Sequence, residues 1–172
     1  MPSVTTDEAQ AVFEQADILY NEVEVEAALD RMAAEITTRL EGKNPLLLCT
    51  MIGGIVTAGK LLTRLHFPLM IDYIHASRYR GETRGAKLHW LARPSESVVG
   101  REVLIIDDIF DEGLTLKALI EDCQQAGAAA VHTAVLVEKQ CARHCGIDVD
   151  FLGLHVEDRY VFGYGMDYKG YL

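Results

Sequence analysis

The stretch Val103-Leu104-Ile105-Ile106-Asp107-Asp108-Ile109-Phe110-Asp111-Glu112-Gly113-Leu114-Thr115-Leu116 constrains this chain more than any other. Its opening apolar run predicts a strand over 102–106 buried on both faces, the condition of a strand inside a parallel sheet. The run ends on two adjacent carboxylates, and the turn that follows carries a third, at Asp111. Gly113 then lets the backbone curl, and a helix begins near Thr115. Backbone N–H groups in such a turn, with a helix N-terminus behind them, form an anion nest. The Thr115 hydroxyl adds a donor. Carboxylates beside an anion site make sense if they hold sugar hydroxyls and a metal rather than the anion itself.

The rest of the chain supplies the frame. Val25, Leu29, Met32, Ile36 and Leu40 recur every three or four positions, which predicts an amphipathic helix ended by Gly42 and Asn44-Pro45. Residues 45–50 form a short apolar run, a second buried strand, broken by Gly53-Gly54. A helix over 55–66, a strand over 70–75 and a strand over 87–92 follow. Between the last two lies a polar, glycine-punctuated segment, residues 78–86, with arginines at 78, 80 and 84, an exposed loop. A helix over 114–126 stops at Gly127, and strands follow over 130–137 and 151–155. Residues 1–22 read as an irregular or partly helical lead-in. Strands alternating with helices imply an α/β fold, a parallel sheet with helices on both faces. Its ligand belongs outside the carboxyl ends of the strands.

At 172 residues the expected count is one domain spanning 1–172. No apolar run approaches the roughly 20 residues of a membrane helix. The acidic segment 1–14 has no basic stretch followed by an apolar one, so it is not a secretory leader. With 16 basic against 26 acidic residues the net charge is -10, which disfavours nucleic acid as a partner. A phosphorylated small molecule carried with a divalent cation suits an acidic chain. Cys49 and Cys123 lie in apolar stretches and read as small hydrophobes. Cys141, His144 and Cys145 would need a fourth ligand to hold zinc, so reduced thiols in a cytoplasmic protein are expected.

The stretch from Val103 to Leu116 resembles the phosphoribosyl-pyrophosphate (PRPP) signature of type I phosphoribosyltransferases: apolar strand, two acids, two apolar residues, then Asp-Thr-Gly-x-Thr. The resemblance extends over nearly the whole chain to the hypoxanthine-guanine branch. Leu48-Cys49-Thr50-Met51-Ile52-Gly53-Gly54 resembles the loop that meets pyrophosphate. Val135-Leu136-Val137-Glu138-Lys139 resembles the strand ending in the lysine that recognises the purine 6-oxo group. The segment from Asp158 to Tyr168 resembles the one carrying the aromatic that stacks on the base.

The resemblance implies a mostly parallel sheet with flanking helices and a small hood from the N- and C-terminal segments, roughly 1–22 and 156–172. It implies purine salvage: PRPP and a 6-oxopurine giving the nucleoside monophosphate and pyrophosphate, with Mg²⁺ and as a homodimer or homotetramer. Asp107 and Asp108 would hold the ribose hydroxyls and a magnesium. Asp111 would act as general base at N7, and the turn of Asp111, Gly113, Leu114 and Thr115 would cradle the 5′-phosphate. Ile52 and Gly53 would meet pyrophosphate through their backbone. Lys139 would donate to the 6-oxo group, Tyr160 would stack, Val161 would contact the base through its backbone, and Asp167 would serve a second magnesium. Ser77, Arg78 and Tyr79 would belong to a closing lid. The residue chemistry agrees: a lysine is donor-only and tells an oxo group from an amino group, and an aromatic gives a planar base a stacking face.

The chain departs from the family pattern in four places. Glu112 stands in place of threonine, and Ile52 where lysine is common. Ser77-Arg78-Tyr79 replaces Ser-Tyr, and the sequence stops at Tyr171-Leu172 where the family continues into an arginine-bearing tail. Two other readings share some of these residues. One is a phosphoacceptor receiver module, with paired aspartates at a strand end and a later lysine. The other is a regulator that keeps the PRPP fold but binds RNA.

Overall fold

A computed structural model of the chain describes residues 4–78, 88–140 and 145–172. Among these residues the strands are β1 (Leu46–Thr50), β2 (Met70–Arg78), β3 (Leu88–Ala92), β4 (Glu102–Phe110), β5 (Ala130–Gln140) and β6 (Phe151–Glu157). The helices are α1 (Thr6–Gln15), α2 (Glu22–Leu40), α3 (Ile55–Leu62) and α4 (Leu114–Gln125). The strands form one sheet in the order β3-β2-β1-β4-β5-β6. All neighbours run parallel except β2 and β3. This is the mostly parallel α/β sheet expected from the alternation of elements.

Both faces are covered, which explains the unbroken apolar runs. Leu47, Cys49, Leu104 and Ile106 pack on one face with α2 and α3, through Leu29, Met32, Ile36 and Leu61. Leu46, Leu48, Val103 and Ile105 pack on the other, with Leu116, Leu119 and Cys123 of α4. Burial pushes the thiols of Cys49 and Cys123 up to about 11, so both behave as small core hydrophobes. The apolar stripe of α2 is fully internal, and a capping box between Asn21 and Glu24 starts the helix at Glu22 rather than Val25.

Several elements differ in extent from the expectation. The helix expected to reach residue 66 ends at Leu62, because the N–H of Arg64 bonds to the Leu61 carbonyl, tightening the last turn, and Pro68 bars continuation. β2 runs past His75 to Arg78 because β3 pairs with it there, Ser77 opposite His89 and Arg78 opposite Leu88. β5 runs past Val137 to Gln140 because β6 flanks it to the end, Gln140 opposite Glu157. The lead-in contains a true helix, α1, capped by the Thr5 hydroxyl. His132 is buried and bonded to Glu102 at 2.7 Å, a structural role as its strand position implied. No described helix is long and apolar enough to cross a membrane.

Candidate active site

β2 lies on one side of β1 and β4 on the other, so the chain leaves their carboxyl ends in opposite directions. A crevice opens at such a switch point. Thr50 closes β1 there, and residues 51–54 turn into α3, with the Met51–Ile52 peptide cis. The paired acids face this turn from β4. They lie within the strand, which runs on past them to Phe110 rather than ending at them. β5 pairs with β4 as far as Phe110 opposite Glu138, so chain pairing outlasts the apolar run.

Hydrogen bonds fix both carboxylates. Asp107 Oδ1 accepts from Thr50 Oγ1 at 2.6 Å and from the N–H of Asp108 at 3.0 Å. Asp108 Oδ1 accepts from the N–H of Ile109 at 2.9 Å. Asp108 is only 8% exposed. Burial above all, and then the charge of Asp107, push its carboxyl up to about 7. A raised carboxyl stabilises the fold while it keeps its proton, and that contribution disappears as pH rises through the folded-state value. Asp72 and Glu102 are held low: backbone donors to Asp72 outweigh its burial, and Glu102 is bonded by His132. Their contribution is lost only below the ordinary carboxylate range. The ligand-free protein is therefore expected to lose a few degrees of melting temperature between pH 5 and 8. Asp108→Asn should flatten that slope; an unchanged slope in a calorimetric pH series would contradict this account.

The loop before α3 is pressed against the acids. A Cβ built on Gly53 would lie 2.2 Å from Asp108 Oδ2. A Cβ on Gly54 would lie 2.7 Å from both the Thr50 hydroxyl and the Ile106 carbonyl. Ile52 is 70% exposed and its side chain carries no hydrogen-bonding group, so a polar contact there can come only from its backbone. From the far side Gly165, at φ 109°, comes so close that a Cβ there would lie 2.0 Å from the Gly53 carbonyl. A tight turn, with reciprocal bonds between Gly163 and Met166, carries it. Neither this contact nor the anchoring of Asp107 by Thr50 was foreseen from the residues. The repeated glycines of the segment were its one trace.

The second turn follows β4. Asp111 and Glu112 are exposed, and Gly113 caps α4 at φ 75°, with no side chain to fill the helix's first N–H groups. Leu114 and Thr115 form that first turn, and α4 starts at Leu114 as expected. Cys145 backs the curl: its N–H bonds to the Glu112 carbonyl at 3.1 Å, and its sulfur would lie 2.9 Å from a Cβ on Gly113. Cys141 and His144, the other members of the cysteine–histidine cluster, lie outside the described residues. Lys139 sits inside β5, not after it, and its Nζ reaches Asp111 Oδ2 at 3.3 Å, with the lysine side chain 14% exposed and the aspartate 52%.

Tyr160, Val161 and Asp167 sit on the C-terminal segment. The Tyr160 hydroxyl donates to the Asp167 carbonyl at 3.1 Å, and its ring meets Tyr168 edge-on. The Asp167 carboxylate accepts from the N–H of Gly170 at 2.5 Å. Among the described residues Asp107, Asp108 and Asp167 do not gather into one metal-holding cluster. Of the lid residues, Ser77 and Arg78 end β2, and Tyr79 with the loop to residue 86 lies outside the described residues. A cavity of about 820 Å³ opens between α1 and the C-terminal segment, walled by Phe13, Leu19, Leu154, Tyr160, Phe162 and Met166. Neither the turn at 51–54 nor residues 107–115 line it, but Tyr160 and Val161, the residues expected to meet the base, do.

Residues 15–169 match the model of the phosphoribosyl transferase domain. The hypoxanthine-guanine-xanthine phosphoribosyltransferase of Tritrichomonas foetus is 33% identical over 152 residues, 88% of this chain and 83% of that protein. The hypoxanthine-guanine phosphoribosyltransferase of Bacillus subtilis is 31% identical, over 88% of this chain and 84% of that protein. A solved structure of a hypoxanthine-guanine-xanthine phosphoribosyltransferase superposes with a TM-score of 0.81 at 31% identity, covering 90% of this chain and 89% of that one.

Proposed function

The chain belongs to the phosphoribosyltransferase family, in its hypoxanthine-guanine branch, and from that premise we propose how its residues divide the work. The enzyme transfers the 5-phosphoribosyl group of PRPP to hypoxanthine or guanine, giving IMP or GMP and pyrophosphate. A receiver module falls with the family match, and an RNA-binding regulator finds no support in it.

The observation that carries the division of roles is the Lys139–Asp111 pair at the strand ends. The 6-oxo oxygen and N7 are neighbours on the edge of a purine. A donor-only ammonium beside a carboxylate acceptor meets an oxo group and an N7–H together. A pyrimidine has no such edge. Asp111 takes the N7 proton as N9 attacks the anomeric carbon. The new C–N bond forms as the C–O bond to pyrophosphate breaks, its electron pair leaving with the pyrophosphate. The curl of Gly113, Leu114 and Thr115 holds the 5′-phosphate on backbone N–H groups and the Thr115 hydroxyl. Ile52 and Gly53 offer backbone to the pyrophosphate, and Tyr160 and Val161 cover the base from the C-terminal part of a hood completed by α1.

Asp107 and Asp108 are two hard oxygen donors confined side by side, each tied at its Oδ1, Asp107 by the Thr50 hydroxyl and Asp108 by the N–H of Ile109. That fits magnesium, which uses one or two carboxylates and completes its shell with water and substrate oxygens. When bound, Mg²⁺ neutralises charge on the departing pyrophosphate. Asp107 and Asp108 would hold it with the ribose hydroxyls, and Asp167 a second ion. A homodimer or homotetramer and a cytoplasmic location belong to the same proposal.

A panel of purine and pyrimidine bases with PRPP and Mg²⁺ tests this reading. Turnover confined to 6-oxopurines is expected. Equal turnover of adenine would remove Lys139 from base selection, and turnover of a pyrimidine would remove the Lys139–Asp111 pair as the base reader.

A further inference from the structure

We infer that Thr50 is a positioning residue for PRPP, its hydroxyl setting the orientation of the Asp107 carboxylate across the gap between β1 and β4. The inference rests on the PRPP reading above and gives Thr50, a member of the loop segment 48–54, a role that the resemblance does not assign to it. Thr50 is 8% exposed, so its hydroxyl must find a partner inside the protein. Two acceptors are in reach, Asp107 Oδ1 at 2.6 Å and the Ile106 carbonyl at 3.0 Å. A hydroxyl has one proton, and the shorter contact, to a carboxylate, is the stronger bond.

The consequence is asymmetric. Thr50 and the N–H of Asp108 both reach Oδ1 of Asp107, so the carboxylate is gripped at one oxygen. Its other oxygen is left for the neighbouring carboxyl and for ligand. An acid held at one oxygen cannot swing about its last torsion, and it presents a fixed lone-pair direction to a sugar hydroxyl or cation. Gly54 makes the arrangement possible, because any side chain there would meet the Thr50 hydroxyl. Valine in the same place would pack as well against the core but would turn a methyl group on the carboxylate.

Partners that orient ligating carboxylates typically matter roughly 10–100-fold. The test compares Thr50→Ser with Thr50→Ala, a pair that differs by the hydroxyl alone, alongside Thr50→Val. The readouts are PRPP affinity by calorimetry with Mg²⁺, KM for PRPP, KM for hypoxanthine, and melting temperature. Thr50→Ala and Thr50→Val should each weaken PRPP by about tenfold, with the KM for hypoxanthine little changed, and Thr50→Ser should restore most of the affinity. If Thr50→Val does not fold, the serine–alanine comparison stands on its own. Equal PRPP affinity in the serine and alanine variants would overturn the inference. So would equal loss for PRPP and base. A wild-type protein that binds no PRPP would instead overturn the functional reading on which it rests.

Discussion

Gly53→Ala should cost roughly 10²-fold in activity, the scale on which an ångström of misplacement acts. Gly53 is not among the glycines with positive φ, so alanine meets no left-handed backbone penalty there. What it meets is Asp108. All three carboxyl atoms lie within 2.2–2.7 Å of the added Cβ. A carboxylate in solvent would step aside. This one is buried, tied to the N–H of Ile109, and set beside Asp107, which is itself tied to Thr50. The loop cannot retreat either, since Gly165 is packed onto the Gly53 carbonyl from behind. The strain therefore falls on the acid pair and on the backbone offered to pyrophosphate. Gly59→Ala is the control. It changes the following helix α3 at a position where an added Cβ finds nothing within 4 Å, and replacing a mid-helix glycine should stabilise by about 0.5–1 kcal/mol. Gly53→Ala with near-normal kcat and PRPP affinity would show that the loop and Asp108 do not share one rigid site.

The contrast between those two glycines shows what could be read from residues alone. Element order, the parallel sheet and both core faces follow from apolar periodicity, and Leu47, Leu104 and Ile36 are buried where that periodicity puts them. Asp107, Asp108, Asp111 and Lys139 were legible as chemistry because charge at the end of an apolar strand is locally unusual. Their placement inside β4 and β5 was not legible. Strand length there is set by pairing with neighbours, Phe110 to Glu138 and Gln140 to Glu157, and pairing is a property of two segments at once. The same holds for Gly53 and Gly165, more than a hundred positions apart, whose importance lies only in their meeting. Thr50 was hidden for a different reason: as the last residue of an apolar run it reads as a β-branched strand former. Only its distance to Asp107 reveals a polar duty. Glu112, which as a carboxylate next to a phosphate cradle reads as a departure, turns out to be exposed while its carbonyl is taken by the N–H of Cys145.

Asp111→Asn should lower kcat by ~10²–10⁴, the usual worth of a positioned general base. Asparagine keeps the size and the hydrogen-bonding oxygen of aspartate, so the turn ahead of Gly113 should survive and PRPP affinity should stay within about threefold, well short of the loss that a removed phosphate contact brings. What is removed is the acceptor of the N7 proton. Lys139 also loses the anion 3.3 Å from its Nζ, at a site where its side chain is 14% exposed. Losing that charge-assisted bond loosens the ammonium that meets the 6-oxo group, so the KM for the base should rise as well. The informative comparison is thus between three constants in one variant. Turnover falls steeply, base KM shifts, and PRPP binding by calorimetry holds. If PRPP binding collapsed along with turnover, Asp111 would belong to the phosphate cradle and the proton would need another acceptor. If turnover fell by less than about tenfold, N9 would be attacking without help from this carboxylate. In that case Lys139, through the 6-oxo group, would be the charged side chain that reads the base, with Tyr160 and Val161 covering it.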